Sequence, residues 1–304
     1  MRDVWVDEIC RERLGSGVET ELFAHRSVGA VRGVALEDGR RVVLKLHPPR
    51  WTPAFLSGVQ AVQGTLAAAG FPSPEPVGPP VPIAEGTVTV ETLLDDGAHP
   101  DGRCPDHRRA LAAGLAELVG LCRPSGVPAL DNPMDRPREA LWPEPHAARL
   151  DLAAAGGEWI DAIAERALQV RPAGDVVLGH TDWSAQNLRV RDGALSAVYD
   201  WSSLARLPEP MLAGQAAHAF TANWVERDTD QYPTRDEALA FLDDYQRVRG
   251  PFTAAERRSA IAALVWSMGY NARCEHSDAP QASDGHRTAR AFLRAHGDEL
   301  LGAA

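Results

Sequence analysis

Between Val18 and His47 apolar and polar residues alternate with a period near two, the spacing of a half-buried strand. The runs "VETELFAHR", "AVRGVALE" and "RRVVLKLH" are set apart by turn signals, the last of them following Asp38-Gly39. They predict three antiparallel strands over 18–47, preceded by a short amphipathic helix over 2–13. Residues 52–69 switch to helical spacing and stop at Gly70, with Pro72 beyond. A proline-rich link over 72–82 leads to another strand pair, whose second member, "GTVTVETLL", runs out into the loop "DDGAHPDG".

From about residue 104 the pattern becomes Ala/Leu-rich and helical. "DHRRALAAGLAELVGLC" predicts one helix ending before Pro124, and "AARLDLAAAGGEWIDAIAERALQV" predicts one or two. A brief strand, "DVVLGHTD", interrupts, and "LRVRDGALSAVYDW" reads as a hairpin turning at Asp192-Gly193. Helices resume near residue 210 and continue to the end. The expected fold class is α+β in two lobes. Residues 1–97 form a small antiparallel-sheet lobe with one helix and a hinge at about 90–97, and 98–304 form a larger helical lobe.

Composition narrows the class of molecule. Apolar content of 44% and charged content of 24% are those of an ordinary globular chain. A net charge of −11 and a pI near 5.4 argue against a nucleic-acid surface, which needs a basic face. The apolar run "ALAAGLAELVGLC" is too short for a membrane span and carries Glu117. "MRDVWVDEIC" has acids where a signal peptide needs an apolar core. These features predict a cytoplasmic protein, monomer or homodimer, without a nucleic-acid or membrane partner. Cys10, Cys104, Cys122 and Cys274 have no metal-ligand spacing and read as reduced, mostly buried side chains.

Two features carry chemistry. Lys45 is the only lysine in 304 residues, set among Val42, Val43, Leu44 and Leu46. The stretch "LGHTDWSAQNLRV" contains His180-x-Asp182-x4-Asn187, and Asp200 follows thirteen residues after Asn187, at the end of the hairpin. Phosphoryl transfer needs such a set: one carboxylate to orient and accept the proton of the attacking hydroxyl, and an amide oxygen with a second carboxylate to hold Mg²⁺ on the phosphates. Asp182, Asn187 and Asp200 fit those roles in that order. A competing reading makes His180 and Asp182 ligands of a metal hydrolase, although the other histidines supply no obvious partner set. Only about ten residues separate Asp200 from the next helix, with no Ala-Pro-Glu element, so the acceptor is expected to be a small alcohol and not a protein.

In these residues the chain resembles the aminoglycoside phosphotransferase family, small-molecule kinases with a protein-kinase-like fold. The resemblance implies that nucleotide sits between the lobes and that Lys45 contacts its α- and β-phosphates. It implies Asp182 as catalytic base, Asn187 and Asp200 as Mg²⁺ ligands, and His180 as a structural residue beneath the catalytic loop. "VETLL" (90–94) matches the hinge, with Glu91 and Leu93 offering backbone groups to adenine. "HRSVGAVRG" (25–33) matches the turn over the phosphates, with Ser27 and Gly29 nearest them; "LGSGV" (14–18) is a competing glycine-rich loop. The implied reaction moves the γ-phosphate of ATP (or GTP) to a hydroxyl of an aminoglycoside or other antibiotic, as in antibiotic resistance. A nucleotide-binding protein with little turnover, or a kinase of an amino alcohol or sugar metabolite, are the alternatives.

Three departures stand out. The helix at 52–69 has no acidic residue, and Gln60 occupies the slot where the family has a glutamate paired with the strand lysine, with Gln63 one turn on. Trp183 stands beside the base and reads as a wall of the substrate site. The aspartate that the family often carries after the metal loop is Ala213 or Gly214 here. Further substrate candidates are Trp201, Trp224, Tyr270 and, for a polyamine sugar, Glu226, Asp228, Asp230, Asp243, Asp244 and Glu275.

Overall fold

The computed structural model describes residues 3–26, 28–123, 130, 132, 139–224, 230–280 and 288–303; Ser27, Glu226 and Asp228 therefore lie outside the described residues. The chain divides into two compact units, Met1–Asp95 with Gly126–Pro133, and Asp96–Ser125 with Met134–Ala304.

The first unit is built on five antiparallel strands: β1 (Val18–Arg26), β2 (Ala30–Leu36), β3 (Arg41–His47), β4 (Val81–Ile83) and β5 (Gly86–Thr92), in the order β1-β2-β3-β5-β4. Their alternation sends Val42, Leu44, Val88 and Val90 to one face, where α1 (Val4–Arg13) covers them with Trp5, Val6, Ile9 and Cys10. Full burial of each such side chain stabilises by about 1.5–3 kcal/mol. The other phase of the same strands carries Lys45, His47, Thr87, Thr89 and Glu91. Helix α2 (Pro53–Ala68) starts at Thr52, whose hydroxyl accepts from the Phe55 N–H, and ends at Gly70, whose φ of 84° suits glycine.

The second unit is mostly helical: α3 (Pro105–Cys122), α4 (Glu158–Gln169), α5 (Glu209–Ala219), α6 (Arg235–Arg249), α7 (Ala254–Asp278) and α8 (Ala289–Ala303). Helix α7 packs against α4, α5 and α8, and its buried residues run round its whole circumference, as a central helix requires. Thr234 and Thr253 start α6 and α7 with reciprocal caps to Glu237 and Glu256. Within the stretch read as one or two helices, only α4 forms; Gly156, at a φ of 89°, and Gly157 end the turns that precede it.

Two small sheets interrupt the helices. Strands β7 (Leu188–Arg191) and β8 (Ala194–Val198) make the expected hairpin, with Asp192 and Gly193 both at positive φ. Strand β6 (Val176–His180) pairs with β9 (Leu204–Pro208), from Val176 opposite Pro208 to His180 opposite Leu204. The sequence pattern misses β9, because five residues ending in proline and paired on one side only leave little alternation to read. The described cysteines form no disulfide, and burial pushes the Cys122 thiol up to about 11 and the Cys274 thiol up to about 12. Among the described residues no helix is long and apolar enough to cross a membrane.

Candidate active site

The pairing of β6 with β9, and of β7 with β8, brings two loops together. The first runs from Thr181 to Asn187, between β6 and β7; the second runs from Tyr199 to Ser203, between β8 and β9. The Tyr199 N–H donates to the Asn187 carbonyl (2.8 Å), and Thr181 donates through both its N–H and its hydroxyl to the Ser203 carbonyl (2.9 and 2.7 Å). Each loop carries the same tripeptide, Asp182-Trp183-Ser184 and Asp200-Trp201-Ser202. The two indoles are 0% and 1% exposed, and each meets His180 edge-on at 5.8 Å. His180, also buried, bonds through Nε2 to the Tyr199 carbonyl (2.8 Å), one residue before Asp200.

Both tryptophans are thus core, which corrects their reading as walls of a substrate site. The Trp183 Nε1–H is spent on the Leu111 carbonyl (3.0 Å) and the Trp201 Nε1–H on the Val198 carbonyl (2.9 Å). A buried indole finds such a partner because leaving its donor unpaired costs about 1–3 kcal/mol.

The polar side chains beside the indoles are held by hydrogen bonds of their own. Asn187 donates from Nδ2 to the Asp182 Oδ2 (2.8 Å), the Asp182 carbonyl (3.1 Å) and the Ser184 hydroxyl (3.1 Å). Its amide nitrogen is fixed on the protein, which leaves Oδ1 as the atom it can offer to a cation. The Ser202 hydroxyl donates to the Asp200 Oδ1 (2.8 Å), and Asp200 is held in the left-handed region (φ 56°, ψ 51°). Such a backbone outlier in a non-glycine residue concentrates at functional sites. Burial, and next the Asp200 carboxylate, push the Asp182 carboxyl above its ordinary value. Among the described residues no lysine or arginine ion-pairs with either aspartate.

Two facing carboxylates and an amide oxygen, all hard oxygen donors without a counter-charge, fit a divalent cation such as Mg²⁺. Among the described residues no cluster of three or more His, Cys, Asp or Glu is placed to hold a metal, so a hydrolase centre built on His180 and Asp182 has no ligand set.

In the first unit, Lys45 is the centre of a second polar group. Its Nζ lies 2.6 Å from the Glu91 Oε1, with side chains only 14% and 6% exposed. The other carboxylate oxygen, Oε2, accepts from the Gln63 Nε2 (2.9 Å). This corrects the expectation that Gln60 faces Lys45: the Gln60 Nε2 is buried without a hydrogen-bond partner among the described residues, and the acid stands on β5. It also revises the hinge. Glu91 lies inside β5, opposite Val43, and the Leu93 N–H is spent on the Arg41 carbonyl (3.1 Å), so that donor is not available to a base. Period two could have found Glu91, since it shares its phase in "TVTVET" with Thr87 and Thr89.

Gly29 lies just before β2, near Leu46; a Cβ there would meet the Leu46 carbonyl at 2.2 Å, so backbone packing alone requires glycine. The competing loop 14–18 turns from α1 into β1: Gly17 accepts from the Glu37 N–H (2.9 Å) and Ser16 from the Asp38 N–H (3.2 Å). Its glycines serve the connection. At Gly214, one of the two positions considered for that aspartate, a Cβ would meet the Ala260 carbonyl at 2.0 Å, so the close approach of α5 to α7 excludes any side chain there.

The remaining substrate candidates are mostly engaged. Glu275 accepts from the Ala289 and Arg290 N–H groups (both 3.0 Å) and so caps α8. Asp243 pairs with Arg257, and Asp244 with Arg108 and Arg247. The Tyr270 hydroxyl accepts from the His146 N–H (3.2 Å). At the loop from Thr181 to Asn187, the Trp224 N–H donates to the Gln186 side chain (3.0 Å), and its exposed indole meets Tyr232 edge-on at 5.4 Å.

His218 follows in this row, 6.5 Å from Tyr232 ring to ring. Its Nδ1–H donates to the Gln215 carbonyl (2.8 Å) and its Nε2 accepts from Asn271 (2.6 Å), which fixes the neutral tautomer. Burial lowers its pKa to about 4 from 6.5. The unfolded chain therefore takes up this proton first as pH falls, and the folded state loses stability through the window from 6.5 down to 4. His218→Gln is expected to remove that component: urea unfolding at pH 7 and pH 5 should show the wild type losing about 2 kcal/mol more than the variant.

Sequence and structure comparisons place this geometry in context. The family model described as the phosphotransferase enzyme family matches residues 30–250. A search of curated proteins finds no match. Among solved structures, the amicoumacin kinase hAmiN, in complex with AMP-PNP, Ca²⁺ and Ami, is similar at a TM-score of 0.64 and 13% identity, over 94% of this chain and 89% of that one. A thermostable mutant of the aminoglycoside phosphotransferase APH(4)-Ia, with ADP and hygromycin B, gives 0.59 and 12% over 98% of both chains. The macrolide 2'-phosphotransferase MphH from Brachybacterium faecium gives 0.54 and 15% over 93% of this chain and 99% of that one. At these identities the structural likeness speaks for the fold.

Proposed function

Since the chain belongs to the phosphotransferase enzyme family, we propose that it transfers the γ-phosphate of ATP or GTP, with Mg²⁺, to a hydroxyl of a small molecule. The observation that carries this reading is the Asp182–Asn187–Asp200 group, in which an amide orients one carboxylate beside a second without a cationic side chain. Asp182 orients the acceptor hydroxyl and takes its proton. Asn187 and Asp200 hold Mg²⁺, which would supply charge stabilisation on the phosphates. Lys45 contacts the phosphates, and His180 holds the two loops in register.

The acceptor is proposed to be an antibiotic, which the amicoumacin, hygromycin B and macrolide kinases among the similar structures support only by analogy. Of the four described acids that could serve a polyamine sugar, Asp243, Asp244 and Glu275 are paired within the protein, which favours an acceptor read with few carboxylates. The reading as a nucleotide binder with little turnover rested on an uncharged partner for Lys45, and Glu91 removes that motive. A coupled ADP-release screen over macrolides, aminoglycosides, other antibiotics and amino alcohols, with ATP and GTP, tests the proposal. An acceptor should raise release at least about tenfold over acceptor-free hydrolysis, within the 1–100 s⁻¹ range of such enzymes; no response to any acceptor would refute it.

A further inference from the structure

We infer that Glu91 is the positioning residue for Lys45, and that the lysine is set by the sheet and not by helix α2. In its consequence for catalysis this rests on the kinase reading; the pairing itself does not.

Lys45 lies directly opposite Thr89 on the neighbouring strand, and Glu91 opposite Val43, so the two charged residues are diagonal neighbours on one face. Diagonal positions across an antiparallel pair are about 7–8 Å apart at the backbone, within reach of long side chains. The ladder that holds them runs without a register shift from Val42 opposite Thr92 to His47 opposite Thr87. The backbone separation of Lys45 from Glu91 therefore changes only if β3 and β5 unzip. An acid on a helix has no such constraint, because a helix shifts as a body while its own hydrogen bonds stay intact.

The same geometry explains the glutamine on α2. Glu91 gives one oxygen to the ammonium and the other to Gln63, which is itself buried. With the acid on the strand, the helix residue facing it has to be a donor, since a second carboxylate there would repel the first. Gln63 thus hangs α2 on the ion pair. One of the ammonium's three N–H groups is directed at Glu91, and the other two are the ones a phosphate can take.

Because Lys45 is the only lysine, protein labelled with ε-¹⁵N-lysine gives one ammonium resonance. In the wild type that signal should show the slow exchange of a shielded, paired ammonium. Glu91→Gln should shift or lose it while thermal unfolding stays cooperative. Gln63→Leu should leave it in place. In turnover, Glu91→Gln should lower kcat at least about tenfold, the scale of a lost charge-assisted bond, with nucleotide affinity changed less than about threefold.

An ammonium signal unmoved by Glu91→Gln would overturn the inference. So would Gln63→Leu abolishing the signal as fully as Glu91→Gln, since the helix would then set the lysine. Tighter nucleotide binding with undiminished kcat in Glu91→Gln would also overturn it, because Glu91 would then merely compete with phosphate. A wild-type signal that is paired as described but unmoved by AMP-PNP with Mg²⁺ would instead sink the kinase reading and leave the sheet-set pair standing.

Discussion

Asp182→Asn is expected to lower kcat by about a hundredfold to ten-thousandfold, the usual contribution of a positioned general base, while nucleotide still binds. The substitution keeps the shape of the side chain and removes only its ability to accept a proton. Asn187 donates to the Asp182 Oδ2 at 2.8 Å, and an amide oxygen in the same place can still accept that bond. Burial and the facing Asp200 already raise the Asp182 carboxyl, so ionising it costs stability in the metal-free protein. The sign follows: a carboxyl whose folded pKa is raised costs the fold stability as pH rises from the unfolded value of 3.8, so the cost is present at neutral pH. The melting temperature of Asp182→Asn without metal should therefore be no lower than that of the wild type. Rate measurements with the acceptor found in the screen, together with a thermal scan, check both halves. An unchanged kcat would remove Asp182 from the chemistry.

Asp200→Asn is expected to abolish the gain in nucleotide affinity that Mg²⁺ confers, a loss of about tenfold or more, with one elementary charge removed from the metal site. Asparagine is the informative replacement. Asp200 sits at φ 56°, where asparagine is tolerated and alanine adds a backbone cost of about 1–2 kcal/mol. The Ser202 hydroxyl can still donate to the amide oxygen, as it now does to the Asp200 Oδ1. Calorimetric titration of AMP-PNP with and without Mg²⁺ measures the effect. A variant that keeps the full metal-dependent gain would show that Asp200 is not a ligand.

The strands of the first unit were legible because one face is apolar and covered by α1, which keeps one phase of β2, β3 and β5 apolar. The hairpin β7–β8 was legible through its Asp-Gly turn, and α6 and α7 begin at Thr-x-x-Glu caps written in the chain. Strand β9 was not, because its one neighbour, β6, lies more than twenty residues away and only pairing defines it. The Asp182, Asn187 and Asp200 group was legible as a spacing. The tryptophans were misread because "DWS" shows a bulky residue beside each aspartate without saying which way it points. Only the position of His180 between them makes both indoles core.

The partner of Lys45 divides the two kinds of information most clearly. Sequence alone determined that one lysine stands in a strand, that "TVTVET" brings Glu91 into phase with two threonines, and that α2 has no acid. It could not say which strand lies beside β3, since β4 and β5 come after a helix and a proline-rich link. Tertiary structure decided it, by placing β5 against β3 in the register that sets Thr89 opposite Lys45. Strand pairing is a contact between distant segments, fixed by the burial of a shared face, and that burial put the carboxylate beside the ammonium.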